Sequence, residues 1–377
     1  MAESNTFTGV VSGVTNRSTY QMLTSDQQYS TSVQWACFNK SPAMKAFALE
    51  GFGVDAVKDV DYFGAATPTG RIIRYDSGVH SFSGPIFETA GTSFHVGRMS
   101  SYSPELVEGG DQYAYAYHQL VNSQFIPEND VDDNGKGPIK IMTQKEEGMK
   151  QAFVRDINYC WLGHSSAPDS STMGPSAVYA DLPNLISVTQ SRTVGNIATT
   201  NSFWQNGYKA ITSIGGGGEM DRPINLRRGM LDAMNDRMAY AESTLDYLLL
   251  GTQGFHQYYD RISYADAVQG RGIPQLQKYD AAGIQHFAFY AQPMVWDPAV
   301  TVPYNSTAST ECLYGIHIPS FVIAIRKEKN FEFHGWEAPR EHDMPKAYVA
   351  RLDLRSTPAV TSRRPHFVIY NVPACPD

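Results

Sequence analysis

The histidines are the residues of this chain best suited to metal binding or acid–base chemistry, and ten of them are scattered over 377 residues. None forms the His-Glu-x-x-His pattern that places two zinc ligands on one helix face. Pro339 interrupts the stretch between His334 and His342 and argues against a continuous helix there. His164 stands beside two serines, but the sequence lacks the Gly-x-Ser-x-Gly turn that would expose a serine nucleophile. The pattern favours core or surface histidines and a polar loop over a catalytic site.

Two further segments contain part of a ligand-binding motif. Gly215–Gly218 could hold a phosphate, but no Lys-Ser or Lys-Thr pair follows as in a P-loop, which favours a flexible loop. Asp130–Gly135 matches the first half of an EF-hand, yet Ile141 stands where the bidentate glutamate is required. An acidic turn is favoured over a calcium site. We therefore predict no cofactor and no metal.

Carboxylates around Trp336 offer one alternative chemistry. Glu337, Glu341 and Asp343 could supply the carboxylate pair of a glycosidase, beside an aromatic ring that binds a sugar. Carboxylates in loops are far more often solvated, so we predict no catalytic residue and no enzyme. A β-rich carbohydrate-binding or hydrolytic protein that uses Trp336, Glu337 and Glu341 stays open as an alternative of a different class.

Composition limits the partners of the chain. Hydrophobic residues make up 42% of the sequence and charged residues 18%, which predicts a folded protein with a sizeable core. The 30 Lys and Arg against 38 Asp and Glu give a formal charge of −8. Proteins that wrap nucleic acid neutralise its phosphates with an excess of basic side chains. Extensive DNA binding is therefore not expected.

Cysteines and apolar runs indicate the compartment. No two of the cysteines have the two-residue spacing of zinc ribbons or redox motifs, which fits a reducing compartment; they are Cys37, Cys160, Cys312 and Cys375. The N-terminus lacks a basic flank and an apolar stretch, and apolar runs such as Phe321–Ile325 are far too short for a bilayer. We expect a soluble, non-secreted protein without a membrane partner.

The N-terminal region reads as an arm followed by a short helix. The first forty residues are rich in Ser, Thr, Asn and Gln and have no sustained period, which predicts an extended arm. A helix should then start at the Ser41 cap with Pro42 in its first position, and Gly51 offers a stop. Met44, Phe47 and Ala48 lie on one side of it.

The next region predicts a hairpin-like loop. Arg71–His95 is strand-like, and Ser100–Gly110 is mostly polar. A period-two run then places Tyr113, Tyr115 and Tyr117 on one face. Two extended segments around a polar apex suggest a loop that projects from the body.

Two longer helices follow. The first is expected over Gln144–Leu162, with a capping box of Thr143 and Glu146. Its apolar stripe consists of Met149, Phe153, Ile157 and either Cys160 or Trp161. The second is expected over Leu226–Ala241, and its stripe of Leu226, Met230, Met234 and Met238 is interpreted as core.

The rest of the chain is mostly strand-like. Leu245–Leu250 predicts a buried strand, and Thr252 caps a short helix that carries Tyr258 and Tyr259. Further strands are predicted at Pro293–Trp296, Ser320–Ile325, Phe331–Phe333, Ala347–Leu354 and His366–Val372. The fold class is α+β.

The order of these elements and several phrases resemble the major capsid proteins of tailed bacteriophages, which have the Hong Kong 97 type of fold. The phrases are Gly195-Asn196-Ile197 followed by Trp204-Gln205-Asn206, Leu245–Leu250 followed by Tyr258-Tyr259, Pro293–Asp297, Cys312–Ile316 and Asn330–Phe333. They cover the second half of the chain; the first half resembles the family only in its order of elements.

The resemblance implies a domain organisation. It comprises an N-terminal arm (residues 1–50), an extended loop over a neighbour (67–120), a peripheral domain with a long spine helix and a sheet (121–169 and 311–356), and an axial domain (170–310 and 357–377). It implies a shell subunit that forms pentamers and hexamers around the DNA genome, touches that DNA only weakly, and meets scaffolding and portal proteins. A decoration protein is a further partner that the sequence leaves open.

The resemblance also implies where the protein is found: in the virion capsid, after assembly in the host bacterial cytoplasm. The sequence offers no obvious room for a scaffolding segment ahead of the arm, so a separate scaffolding protein is expected.

Candidate interface residues come from the aromatic loop and from arginines suited to ion pairs between subunits. They are Phe82, Phe87, Phe94, Arg98, Tyr113, Tyr115, Arg227, Arg228, Arg363 and Arg364. The competing interpretations are that the loop folds back onto its own domain and that the arginines are solvated surface charges. An encapsulin-like compartment, which would hold a cargo enzyme instead of DNA, also stays open.

Overall fold

The computed structural model describes residues 19–60, 66–86, 111–127, 130, 138–163, 181–188, 193–198, 200–211, 223–238, 246–263, 274–303, 310–337 and 347–373. In these segments no helix combines the length and apolar character needed to cross a membrane. The partial EF-hand beyond residue 130 and the glycine run at 215–218 lie outside the described residues.

The elements alternate between helices and strands along the chain. The helices are α1 (Thr19–Phe38), α2 (Pro42–Phe52), α3 (Val54–Lys58), α4 (Pro138–Leu162), α5 (Leu182–Leu185), α6 (Pro223–Met238), α7 (Gln253–Ser263) and α8 (Pro274–Ala281). The strands are β1 (Ile73–Asp76), β2 (Ser81–Pro85), β3 (Gln112–Ala116), β4 (His118–Pro127), β5 (Thr193–Val194), β6 (Ile197–Ala198), β7 (Gly207–Ala210), β8 (Tyr247–Gly251), β9 (Phe287–Phe289), β10 (Gln292–Trp296), β11 (Thr310–His317), β12 (Phe321–Arg326), β13 (Glu332–Glu337), β14 (Ala347–Val360) and β15 (Phe367–Pro373).

Helix α1 corrects the expectation of an extended arm. Residues 19–38 are helical, and Val33, Cys37 and Phe38 are buried in the main core. Tyr29 donates a hydrogen bond of 2.6 Å to the Glu146 carbonyl of α4, which fastens the two helices together. The sequence signal was weak because Ser, Thr and Gln residues interrupt any apolar period in this segment. The arm prediction was wrong for this part, and residues 1–18 lie outside the described residues.

Helix α2 confirms the predicted cap. The Met44 amide donates to Ser41 Oγ at 3.4 Å, and Pro42 occupies the first helical position. The helix ends at Phe52, one residue past the expected stop, because Gly53 adopts a φ of 97° that favours glycine. Met44, Phe47 and Ala48 are buried as predicted, together with the remaining residues from Leu49 to Gly51.

Helix α4 lies along a five-stranded sheet. The strand order is β1-β12-β14-β13, and β4 pairs with β14 as well. The apolar stripe of α4 is buried and includes Trp161 instead of Cys160. Trp161 Nε1 donates to Ser356 Oγ of β14 at 3.1 Å. Since the helix starts at Pro138, Thr143 lies inside it and the predicted capping box was wrong. Gly163, with φ of 101°, follows its end as expected.

A second sheet has six strands in the order β7-β15-β11-β8-β10-β9. Every residue of β8 is buried, and Leu226, Met230 and Met234 of α6 pack into the same core, as predicted. β11 belongs to this sheet, so the expected assignment of residues 311–317 to the spine-helix sheet was wrong. The chain changes sheets at the short turn Ile318–Ser320 between β11 and β12.

A buried histidine pair occupies this change of sheet. The His317 amide donates to Nδ1 of His366 at 3.1 Å, so the proton of the His366 ring lies on Nε2, 3.0 Å from Ser320 Oγ. Ser320 Oγ also lies 2.8 Å from His317 Nδ1. Burial lowers the pKa of His366 well below its ordinary value, and the charges of His317 and Arg363 act in the same direction. The native structure therefore holds His366 neutral.

We predict that the unassembled protein loses stability as the pH falls below about 6.5. Unfolding lets His366 take a proton that the native ring refuses, so the free energy of unfolding falls by up to about 1.4 kcal/mol per pH unit for this group. His256, whose pKa burial lowers to about 4, acts with the same sign. Urea unfolding between pH 5 and 7 measures the slope. His366→Gln should flatten it, whereas the exposed control His80→Gln should not; equal slopes would contradict the assignment.

Candidate assembly surface

The strands at the base of the predicted loop form a hairpin that packs on its own chain. β2 pairs antiparallel with β3, and Phe82 lies opposite Tyr115. Both rings and that of Tyr113 are buried. Tyr113 stacks on Trp204 with ring centroids 6.3 Å apart, and the Tyr115 hydroxyl donates to the Val360 carbonyl at 3.2 Å. The alternation of the tyrosines is confirmed, and at the hairpin base the aromatic side chains fold back instead of projecting.

A tight turn makes this packing close. Gly195 and Asn196 have φ values of 59° and 66° and connect β5 to β6. A Cβ on Gly195 would lie 2.8 Å from the Tyr115 ring, so a larger residue would displace the tyrosine. Trp204 Nε1 donates to the Val194 carbonyl at 2.8 Å. The Gly-x-Ile and Trp-x-Asn phrases thus build one socket for the hairpin.

Arg363 completes this socket and corrects its prediction as an intersubunit residue. It is 1% exposed. Its guanidinium donates to the carbonyls of Leu185 (2.8 Å) and Trp204 (3.0 Å), to Ser187 Oγ (3.4 Å) and to Asn206 Oδ1 (2.6 Å). Because four acceptors of the same chain surround it, we now assign Arg363 to the core of the protomer.

The other candidate arginines lie nearer to solvent. Arg227 and Arg228 are exposed on α6, and the guanidinium of Arg227 is 6.0 Å from the ring centroid of the exposed Tyr290. Arg364 is half-buried. These three stay predicted interface residues. Phe87, Phe94 and Arg98 lie outside the described residues.

An exposed apolar strip that was not predicted from the sequence lies on the outer face of the five-stranded sheet. It consists of Val121 and Phe125 of β4 and Val349 of β14, and we call it the outer strip. Phe125 is 64% exposed and pairs directly with Val349. Helix α1 contacts β13 and α4 contacts β4 and β14 on the opposite, buried side. The sequence gives little signal for it, because Val121 and Phe125 each adjoin another apolar residue, Leu120 and Ile126, and do not alternate with polar ones.

Trp336 is not an open platform for a sugar. The side chain is 7% exposed, and its Nε1 donates to Glu146 Oε1 of α4 at 2.8 Å. Glu337 is exposed at the end of β13, and Glu341 lies outside the described residues. The Trp336 ring is therefore packed between α4 and the sheet and cannot stack on a sugar. The carbohydrate alternative loses its main support, an exposed aromatic ring.

A polar cluster lies on the same outer face as the apolar strip. Glu332, His334 and Asp353 each place one ligand atom within 4.8 Å of the others, a group that could hold a metal ion. Lys329 and Arg351 approach the two carboxylates. The pairing of β13 with β14 brings these groups together, because Glu332 lies opposite Asp353 and His334 lies opposite Arg351.

Comparisons with known proteins identify the fold. No protein-family model matches the sequence, and no curated protein matches it either. The structure superposes on the cyanophage A-1(L) capsid with a TM-score of 0.55 and 12% identity, over 80% of this chain and 89% of that one. The fold is that of Hong Kong 97-type capsids. The expected fold class is thereby confirmed.

Two further solved structures are similar at lower scores. The capsid of cyanophage P-SCSP1u gives a TM-score of 0.49 and 10% identity over 81% of this chain and 87% of that chain. The encapsulin complex from Synechococcus elongatus gives 0.44 and 9% over 80% of this chain and 85% of that one.

We predict that Arg363→Met strongly destabilises the protomer. The substitution leaves buried carbonyls without donors, at a cost of roughly 1–3 kcal/mol for each acceptor that water cannot reach. Arg363→Lys should recover only part of the loss, because an ammonium cannot reproduce the fork of the guanidinium. Urea unfolding measures both, with the exposed Arg228→Gln as control, expected within about 0.5 kcal/mol of the parent. A stable Arg363→Met protomer that fails only in assembly would contradict the core assignment.

Proposed function

We propose that this chain is the major capsid protein of a tailed bacteriophage, which self-assembles into the hexamers and pentamers of an icosahedral shell around the DNA genome. The observation that carries the proposal is the agreement of the fold with the cyanophage A-1(L) capsid over 80% of the chain, at a TM-score of 0.55. Ring-forming, head-to-tail contacts between copies are the association that closes such shells.

The charge of the chain supports this role. A subunit with a formal charge of −8 repels phosphates at long range, so DNA inside the shell would keep its own counterions and touch the wall only weakly. In this proposal the partners are other copies of the chain, a scaffolding protein and a portal. Assembly takes place in the host cytoplasm, the protein resides in the virion, and the chain has no enzymatic role.

The packing of the β2–β3 hairpin supports an extended loop that starts from a fixed base. Its base is held by the Tyr113–Trp204 stack and the Tyr115 hydrogen bond, both within the protomer. A base fixed in this way gives the extended loop, residues 67–120, a defined direction toward a neighbouring subunit. The peripheral domain (121–169 and 311–356, without β11) and the axial domain (170–310 and 357–377) remain the proposed division.

The first experiment measures the mass of the purified protein by light scattering, followed by negative-stain microscopy of the same fraction, with and without a scaffolding protein. Closed shells or rings of five or six subunits are expected. Purified shells that contain nucleic acid would support the phage assignment. Shells filled with one cargo enzyme would instead indicate a compartment of the encapsulin type. A monomer at all concentrations, with the scaffolding protein supplied, would overturn both.

We also predict that the outer strip contacts another copy in the shell. Phe125→Ser removes its largest apolar side chain, whose burial contributes about 1.5–3 kcal/mol, so the concentration needed for assembly should rise at least about tenfold. Ser123→Ala, on the same exposed face of β4, is the matched control and should assemble normally. The unfolding midpoints of both protomers should equal that of the parent. Unchanged assembly of Phe125→Ser would remove the outer strip from the interface.

A further inference from the structure

We propose that Glu332, His334 and Asp353 form a binding site for a zinc ion on the outer face of the five-stranded sheet. The site is independent of the assembly role, because its ligands come from one protomer. Glu332 and His334 are alternate residues of β13, so their side chains point to the same face, and Asp353 of β14 pairs directly with Glu332. The pairing of two strands thus places three ligand-bearing side chains together.

The separations of the ligand atoms fit a tetrahedral ion. His334 Nε2 lies 3.5 Å from Glu332 Oε2 and 3.5 Å from Asp353 Oδ2. Zinc bonds to nitrogen and oxygen are about 2.0–2.2 Å long, so neighbouring ligands around a tetrahedral zinc are roughly 3.4 Å apart. Little movement of the two strands is needed to close the site.

The strongest indication of a metal site is that the Asp353 carboxylate is buried without hydrogen bonds among the described residues. Its side chain is 0% exposed, and neither oxygen accepts a hydrogen bond from the described residues. Arg351 Nη2 comes within 3.1 Å of Oδ2 but without the alignment of a hydrogen bond. A buried carboxylate is costly unless its oxygens are coordinated or hydrogen-bonded. The cationic side chains of Arg351 and Lys329 lie 3.1 Å and 4.0 Å from Oδ2 and balance its charge, but they leave both oxygens without a hydrogen bond in the described part of the chain, and a metal ion would coordinate them directly.

The guanidinium of Arg351 occupies the position that a bound metal cation would take. Its Nη2 also lies 3.3 Å from His334 Nε2, and in the tautomer that accepts this hydrogen bond the lone pair of Nε2 faces the cluster, because a guanidinium can only donate. A neutral imidazole with its lone pair directed inward is the form that binds a metal. Lys329 contacts Glu332 and lies 4.0 Å from Asp353 Oδ2. Both cationic side chains are long and partly exposed, so a compact divalent ion can displace them into solvent.

The ligand set selects the metal. One imidazole nitrogen favours zinc over calcium and magnesium, which prefer oxygen ligands alone. Three protein ligands leave a fourth position of the tetrahedron for water. The bound ion would join β13 to β14 and so stiffen the outer face of the sheet.

Equilibrium dialysis of the full-length chain against zinc chloride tests the proposal. We expect a single tightly bound ion per chain and a thermal unfolding midpoint that rises with zinc concentration. His334→Ala and Asp353→Asn should each weaken binding at least about tenfold, as expected when one of three ligands is removed. His80→Ala, an exposed histidine elsewhere in the chain, is the control and should bind as the parent does. Calcium and magnesium should produce no comparable shift.

Arg351→Gln separates this site from adventitious binding. Removing the competing guanidinium should tighten zinc binding several-fold if zinc takes its place. It should leave the affinity unchanged if zinc binds elsewhere. The proposal is overturned if the parent binds no zinc, if His334→Ala binds it as well as the parent, or if Arg351→Gln has no effect. Assembly assays do not enter the test, so a failure here leaves the proposed function untouched.

Discussion

The pairing of one long strand, β14, sets the frame on which the five-stranded sheet depends. β14 has fourteen residues; those from Ala347 to Ser356 pair with β4, while β13 and β12 pair with successive parts of the same strand. Helix α4 then packs on one face of this sheet through its buried stripe and Trp161. Because a strand alternates its side chains, the same strand supplies a dry inner face and an outer face with Val349 and Asp353.

The buried guanidinium of Arg363 stabilises the connection between the five-stranded sheet and the second sheet. Arg363 lies between β14 and β15 and binds the carbonyls of Leu185 and Trp204, which are 178 and 159 positions away in the sequence. An arginine is suited to this position because its planar fork serves several acceptors at once. The hairpin of β2 and β3 then rests on the same Trp204. One polar anchor thus stabilises both a sheet connection and the packing of the β2–β3 hairpin.

Several features that depend on local periodicity or a local cap were predicted correctly, although the capping box of α4 was not. The stripe of α4, the Ser41 cap of α2 and the alternation of Tyr113 and Tyr115 all depend on neighbours within a few residues. Prediction from the sequence failed where long-range contacts decide. Helix α1 forms because Val33 and Cys37 fit a core built by distant elements, and β11 joins the second sheet because its partners are β8 and β15.

The predicted interface residues also depend on long-range contacts that the sequence does not show. Charge and type cannot distinguish a buried Arg363 from an exposed Arg228, since burial depends on acceptors supplied by residues 150 or more positions away. Phe125 was overlooked for a related reason: only the pairing of β4 with β14 shows that its side of the sheet is uncovered.

The burial of two cysteines determines how the chain responds to oxidants. Cys37 of α1 and Cys312 of β11 are fully buried, and burial raises the pKa of both thiols. Oxidants and alkylating reagents attack the thiolate, a form that both sites suppress and keep away from solvent. If the chain forms a shell as proposed, these two thiols should stay unreactive when the particle passes from a reducing compartment into aerated water.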